Sequence, residues 1–128
     1  MSGLTNARAA AYIDDSFGTS VRTAPTTPMK LSVETVAGTT SAAGTELGST
    51  TRPTITMRAA TGTPPVATNN GAVTVVAGAS GTVVAEAIYD SAGTPVRVWW
   101  GPLASSRAVV AGDSLLFADA SISASITS

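Results

Sequence analysis

From Met29 onward, the apolar positions of the chain recur with a period of two. In "KLSVETV" Leu31, Val33 and Thr35 fall on one face, and in "TITMRA" Ile55 and Met57 oppose Thr54, Thr56 and Arg58. "AVTVVA", "TVVAEAIYD", "TPVRVWWG", "RAVVAG", "SLLFA" and "SISASIT" continue the series. In the last of these Ile122, Ala124 and Ile126 alternate with serines, as in a strand with one buried and one solvated face. The connections carry turn chemistry. "AGTTSAAGTELGSTTRP" reads as a long polar loop, "TGTPPVATNNGA" as a turn-rich link ending in Asn70-Gly71, and "SAGT" as the tip of a hairpin. About eight short strands separated by such signals predict a mainly β fold, an antiparallel β-sandwich over residues 29–128.

The first 28 residues follow another pattern. "LTNARAAAYIDDSFG" predicts one short helix, with Thr5 or Asn6 as its cap, strong helix formers at residues 7–11 and Gly18 as its stop. Leu4, Ala11 and Tyr12 fall near one of its faces. So short a helix is marginal alone and has to dock, on its own domain or on a neighbour. "SVRTAPTTPM", with prolines at 25 and 28, reads as an extended arm long enough to reach an adjacent subunit. The expected organisation is therefore a helix and arm over 1–28 and a sandwich over 29–128.

The two tryptophans are adjacent, Trp99 and Trp100, so an unbroken strand turns them to opposite faces. The alternation groups Val96, Val98 and Trp100 as core and turns Arg97 and Trp99 outward. The expected core is Val33, Ile55, Met57, Val73, Val75, Ile88, Val98, Trp100, Leu116, Ile122 and Ile126. An outward Trp99 has three possible covers: its own helix or loop, a neighbouring subunit, or a sugar ring. Arg97 beside it has the reach for a cation–π contact, and aromatic and Arg side chains are enriched where subunits meet. Arg97, Trp99, Leu4, Tyr12 and Phe17 are thus the candidate contacts to a subunit or partner.

Composition narrows the chemistry. Charged residues make up 12% of the 128 and the net charge is −1, so the chain lacks the basic footprint of a nucleic-acid binder. A surface so poor in charge resists self-association weakly, which suits a protein living in an assembly. There is no histidine and no cysteine, which removes the commonest general base and the thiol nucleophile or metal ligand. No nucleophile elbow, phosphate loop or dinucleotide fingerprint appears, so no catalytic, metal or cofactor site is expected. The only lysine, Lys30, reads as a solvated edge charge. Asp14-Asp15 reads as a solvated helix end, or else as a partner for a cation or a neighbour's arginine. Glu86, Asp90, Asp113 and Asp119 read as surface charges or turn residues, with Asx turns expected at 90 and 113. No basic stretch leads into an apolar run at the start, and no run approaches a membrane span, so synthesis in a host cytoplasm is expected.

At this point the order of segments carries a resemblance. The chain runs through "LTNARAAAYID", "AGTTSAAGTEL", "TTRPTITMRAA" and "NNGAVTV" to "VVAEAIYDSAGTPVRVWWGPLASSRAVVAGDSLLFADASISASIT". It resembles, over roughly residues 4–127, the small virion proteins of tailed bacteriophages called tail fibre or minor tail proteins. Ile88, Tyr89, Asp90, Trp100, Gly101, Leu103, Val110, Ala111, Gly112 and Asp113 occupy the matching positions. The first strand departs from that pattern, reading "LSVETV" where relatives often carry a histidine. The resemblance implies a virion structural protein that acts by oligomeric assembly. Its expected partners are copies of itself, as a trimer, and other tail or capsid proteins, with no cofactor, nucleic acid or membrane. A capsid decoration protein on the outside of the head is the alternative placement, and a carbohydrate-binding module for the host surface is the second alternative.

Overall fold

Eight consecutive residues of alternating character, Met29–Val36, form the strand on which the rest of the sheet is built. In the computed structural model, which describes residues 3–125, the elements run β1 (Gly3–Leu4), α1 (Asn6–Ser16), β2 (Met29–Val36), β3 (Thr45–Glu46), β4 (Thr54–Ile55), β5 (Val66–Thr68), β6 (Val73–Val76), β7 (Gly81–Tyr89), β8 (Arg97–Val109), β9 (Ser114–Phe117) and β10 (Ser123–Ser125). A six-stranded sheet has the order β1-β8-β7-β2-β3, with β4 on the same edge of β2 as β3. Two two-stranded sheets, β5–β10 and β6–β9, complete the molecule, and every pairing is antiparallel. The fold is mainly β with one short N-terminal helix, as expected.

The core lies between the large sheet and the two small ones. Leu31 and Val33 of β2, with Val83 and Ile88 of β7, meet Val73 and Val75 of β6, Leu115 of β9 and Ile122. Apolar side chains buried in this way each contribute about 1.5–3 kcal/mol. The expected core residues Val33, Ile55, Val73, Val75, Ile88, Val98 and Ile122 are buried, and Met57 packs against the cluster half-buried. Ile126 lies outside the described residues.

Leu116 is a correction. It is 59% exposed, and its neighbour Leu115, at 1%, fills the core. "SLLF" has two leucines in a row and no alternation of its own. Its facing is imposed by β6, where Val75 pairs with Leu115 and Val73 with Phe117. The strand count also differs from the expected pattern. "RVWWGPLASSRAV" is one continuous strand of 13 residues, whereas β1, β3 and β5 form inside segments that read as helix entry, polar loop and turn. Those three are two or three residues long and exist through their partners, not through propensity.

The N-terminal segment folds back on its own sheet. Thr5 occupies the cap position of α1, yet its hydroxyl makes no capping bond and donates instead to the Arg97 carbonyl at 3.2 Å. Its amide donates to the Val98 carbonyl at 3.1 Å, and the Asn6 amide to that of Thr40 at 2.9 Å. Gly18, at φ 68, closes the helix in the left-handed region, where a residue without Cβ is unstrained. The arm is tied down along its length. Arg8 Nη1 donates to the Thr23 carbonyl at 2.9 Å, and the Thr26 amide reaches Asp90 Oδ2 at 3.4 Å.

Candidate assembly surface

Residues 96–100 decide what the protein shows to its surroundings, and one extra residue governs them. Ile88 of β7 pairs with Trp99, but the next residue, Tyr89, pairs with Arg97. Val98 is therefore a β-bulge, two residues of β8 facing one of β7, and a bulge reverses the parity of everything beyond it. Trp99 turns to the Ile88 side and packs against the core; Trp100, opposite Ala87, turns to the other face of the sheet. Val96, expected inside, is exposed. The assignment of Trp100 to the core and Trp99 to the outside is thus reversed, and Arg97 and Trp99 lie on opposite faces. Their cation–π stack does not form. The stacked pairs are Arg52 over Tyr89, at 3.8 Å to the ring centroid, and Arg22 over Tyr12, at 4.7 Å.

Arg97 is 9% exposed because loop 37–44 lies over it. Its Nη2 donates to the Thr39 carbonyl, while the Gly38 amide donates to Glu34 Oε2 at 3.2 Å. The loop sits directly on these two charges. A Cβ at Gly38 would stand 2.7 Å from the Gly44 amide nitrogen and 2.8 Å from the Ala42 carbonyl, and one at Gly44 would run into the Val36 carbonyl, backbone atoms that cannot swing aside. Glycine is required at both positions for the backbone to come so close. The same loop accepts the first helix amide, so Glu34 and Arg97 position α1. Arg97 Nη1, Ser32 Oγ and Trp100 Nε1 are buried on this face without a hydrogen-bond partner.

On the core side, Tyr12, Met29, Met57, Ile88, Val98 and Trp99 line an apolar cavity of about 330 Å³ under the helix. Tyr12 is half-buried there, and Leu4 is half-buried on β1 opposite Trp99. Phe17 behaves differently. It is 80% exposed, and Ile13 one turn before it and Val21 just after it are exposed as well. No residue of α1 is buried, and Ile13 with the cap residue Phe17, four positions on, gives the end of the helix an apolar patch that its own domain leaves uncovered. Of the five candidate contacts, Trp99, Tyr12 and Leu4 come together near the cavity, Arg97 lies beneath the loop, and Phe17 stands free. Ile13 was missed because α1 reads as alanine-rich, its spacing of four from Phe17 being the available signal; Val21 lies beyond the turn at Gly18 and had no such signal.

The charges resolve individually. Asp15 pairs with Arg22 at 3.8 Å, and Asp14 accepts the Thr19 hydroxyl at 3.2 Å. Asp90 and Asp113 are turn residues as expected, accepting the Val96 and Val110 amides at 2.8 and 2.9 Å. Burial pushes the Asp90 carboxyl up, but three backbone N–H donors outweigh it and hold the group below its ordinary value. Lys30 donates to the Thr54 hydroxyl at 2.9 Å.

Glu86 departs from its reading as a surface charge. It is 5% exposed, in a row between Val33 and Gly101, at the floor of an open cleft of about 560 Å³ walled by Leu103, Phe117 and Ile122. Burial pushes its carboxyl up from 4.5 to about 7. The native state therefore holds a proton that the unfolded chain releases between these two values. The contribution of Glu86 to stability is greatest below about pH 4.5, falls by roughly 3 kcal/mol as the pH rises to 7, and is flat above, whereas the lowered Asp90 carboxyl loses its own contribution only in acid. Urea unfolding at pH 5 and pH 8 measures this difference, and Glu86→Gln removes it. A wild type equally stable at both values would contradict the burial of this carboxyl. A lone acid inside "VVAEAIY" was the sequence signal for it.

Among the described residues, no group of three or more acidic, histidine or cysteine side chains is placed to hold a metal ion, and no helix is long and apolar enough to cross a membrane. No curated protein and no solved structure matches the chain. A family model does, described as podophage GP4 fiber I protein gp80, and it matches residues 3–125. With nearly the whole chain covered, the protein belongs to this family of phage fibre proteins and is a structural component of a phage virion.

Proposed function

We propose that the protein is a tail-fibre component that works by self-association, as a trimer, and by attachment to other virion proteins. The observation that carries this reading, beside the family, is the uncovered group of Ile13 on α1, Phe17 at its cap and Val21 in the arm just beyond, on a segment that is nevertheless fixed to its own sheet. A rigidly held apolar group is an anchor awaiting a cover, and burying a Phe side chain contributes about 1.5–3 kcal/mol. The candidate contacts Leu4, Tyr12, Arg97 and Trp99 support it from beneath, by fixing where the helix sits.

The test is a phage carrying Phe17→Asp together with labelling of purified particles. The variant protein should remain folded, lose self-association and be absent from virions. Label against the wild-type protein should gather at the tail in few copies per particle. Label spread over the head in many copies would favour the capsid decoration placement, and Phe17→Asp particles of normal composition would remove the helix from the contact.

A further inference from the structure

The chain carries three carboxamide side chains, Asn6, Asn69 and Asn70, and no glutamine. Asn6 opens α1 and is followed by Ala7, so regular helix and a Cβ both oppose rearrangement there. Asn69 is fully buried, with its oxygen and its nitrogen both engaged. Asn70 differs from both. It is exposed, and among the described residues its side chain makes no hydrogen bond. Its successor is Gly71, at φ 91, where a Cβ would meet only open space.

A free asparagine side chain before glycine can close on its own backbone. The Gly71 amide nitrogen loses its proton and attacks the Asn70 side-chain carbonyl carbon. A C–N bond forms, and the Nδ2 group takes up a proton and leaves as ammonia. Water then opens the five-membered succinimide at either carbonyl, giving aspartate or isoaspartate. Glycine favours closure because the ring needs backbone rotation that a Cβ resists. The structure intervenes at the proton. The Gly71 N–H donates to Asp119 Oδ1 at 2.8 Å, and Arg58 Nη2 holds the same carboxylate at 2.8 and 3.1 Å. The Gly71 amide and Arg58 keep the Asp119 carboxyl below its ordinary value, so it is ionised at neutral pH. A nitrogen that gives up its proton there gains negative charge beside a carboxylate, and like charges oppose that step.

We propose that Asn70-Gly71 is a site of spontaneous succinimide formation, and that Asp119 is the positioning residue that restrains it by keeping the Gly71 proton in place. A virion subunit is built into a particle and not renewed, so the product accumulates with age. Isoaspartate lengthens the backbone by one methylene between residues 70 and 71. That moves the Gly71 carbonyl away from Asn69 Nδ2, now 2.9 Å from it, and the Gly71 N–H away from Asp119. The turn is a slow clock whose damage centres on the buried Asn69.

Peptide mapping by mass spectrometry of the full chain, held in mildly alkaline buffer, tests this in the wild type, Asp119→Ser and Asp119→Ala. Thermal melts select the variant that is folded. Conversion of amide to acid should appear at Asn70 and not at Asn6 or Asn69. Loss of the Asp119 carboxylate should raise its rate by about tenfold, the factor of one unit in the acidity of the Gly71 amide. Hydrogen exchange separates this from a loosened turn. The Gly71 N–H should exchange faster in the variant, while the Asn70 N–H, bonded to the Thr56 carbonyl at 2.8 Å, keeps its protection. Three results overturn the proposal: no conversion at Asn70 in any of the proteins, the same rate with and without the Asp119 carboxylate, or equal loss of protection at both amides.

Discussion

Trp99→Ala should destabilise the fold by about 2–4 kcal/mol, more than Trp100→Ala, even though both rings are half-buried. The reason is the bulge at Val98, which sends Trp99 to the Ile88 side to pack on the core cluster and roof the apolar cavity. Truncation there enlarges an existing cavity of about 330 Å³, so the surroundings have little chance to collapse onto the gap. Trp100 lies on the other face with its indole N–H unpaired, so its removal takes away an unsatisfied donor along with its packing. Chemical denaturation of the two variants measures the difference. An effect of Trp99→Ala below a few tenths of a kcal/mol would mean that the ring serves only contacts outside the chain.

Asn69→Ala should cost about 1–3 kcal/mol, from a residue that reads in the sequence as part of a turn. Its side chain is fully buried. Oδ1 accepts the Ile122 amide at 2.8 Å, and Nδ2 donates to the Gly71 and Ala118 carbonyls, both at 2.9 Å. Alanine leaves the Ile122 amide buried without a partner, at a cost of about 1–3 kcal/mol before relaxation, whereas Gly71 is exposed to solvent and the Ala118 carbonyl keeps its bonds from the Ser121 amide and hydroxyl. Asn69→Asp should be no better, because it loses both donors and sets a negative charge against two carbonyl oxygens. The damage should be traceable in space, since Ala118 and Ile122 belong to the wall of the Glu86 cleft. Hydrogen exchange should show lost protection at Ile122 and along β10 first. A variant with wild-type stability would show that water replaces the amide without loss.

The cleft and the apolar patch were legible to different degrees. Phe17 was visible as a candidate, but Glu86 looked like any strand acid, since desolvation depends on what β8 and β9 place over it. The helix cap looked local in the sequence, yet Thr5 spends its hydroxyl on the Arg97 carbonyl because β1 pairs with β8. Arg97 looked solvated and is covered by loop 37–44, a contact made by residues more than fifty positions away.

What the sequence determined by itself is what depends on neighbours along the chain. The period-two runs became β2, β6 and β7, Gly18 stops the helix, Asp90 and Asp113 hold their turns, and the lack of histidine and cysteine limits the available chemistry. Only the tertiary structure decided which side of each strand is inside. Facing is a matter of parity, and parity is set across the sheet: the extra residue at Val98 exchanges the roles of Trp99 and Trp100, and the pairing of β9 with β6 selects Leu115 over Leu116.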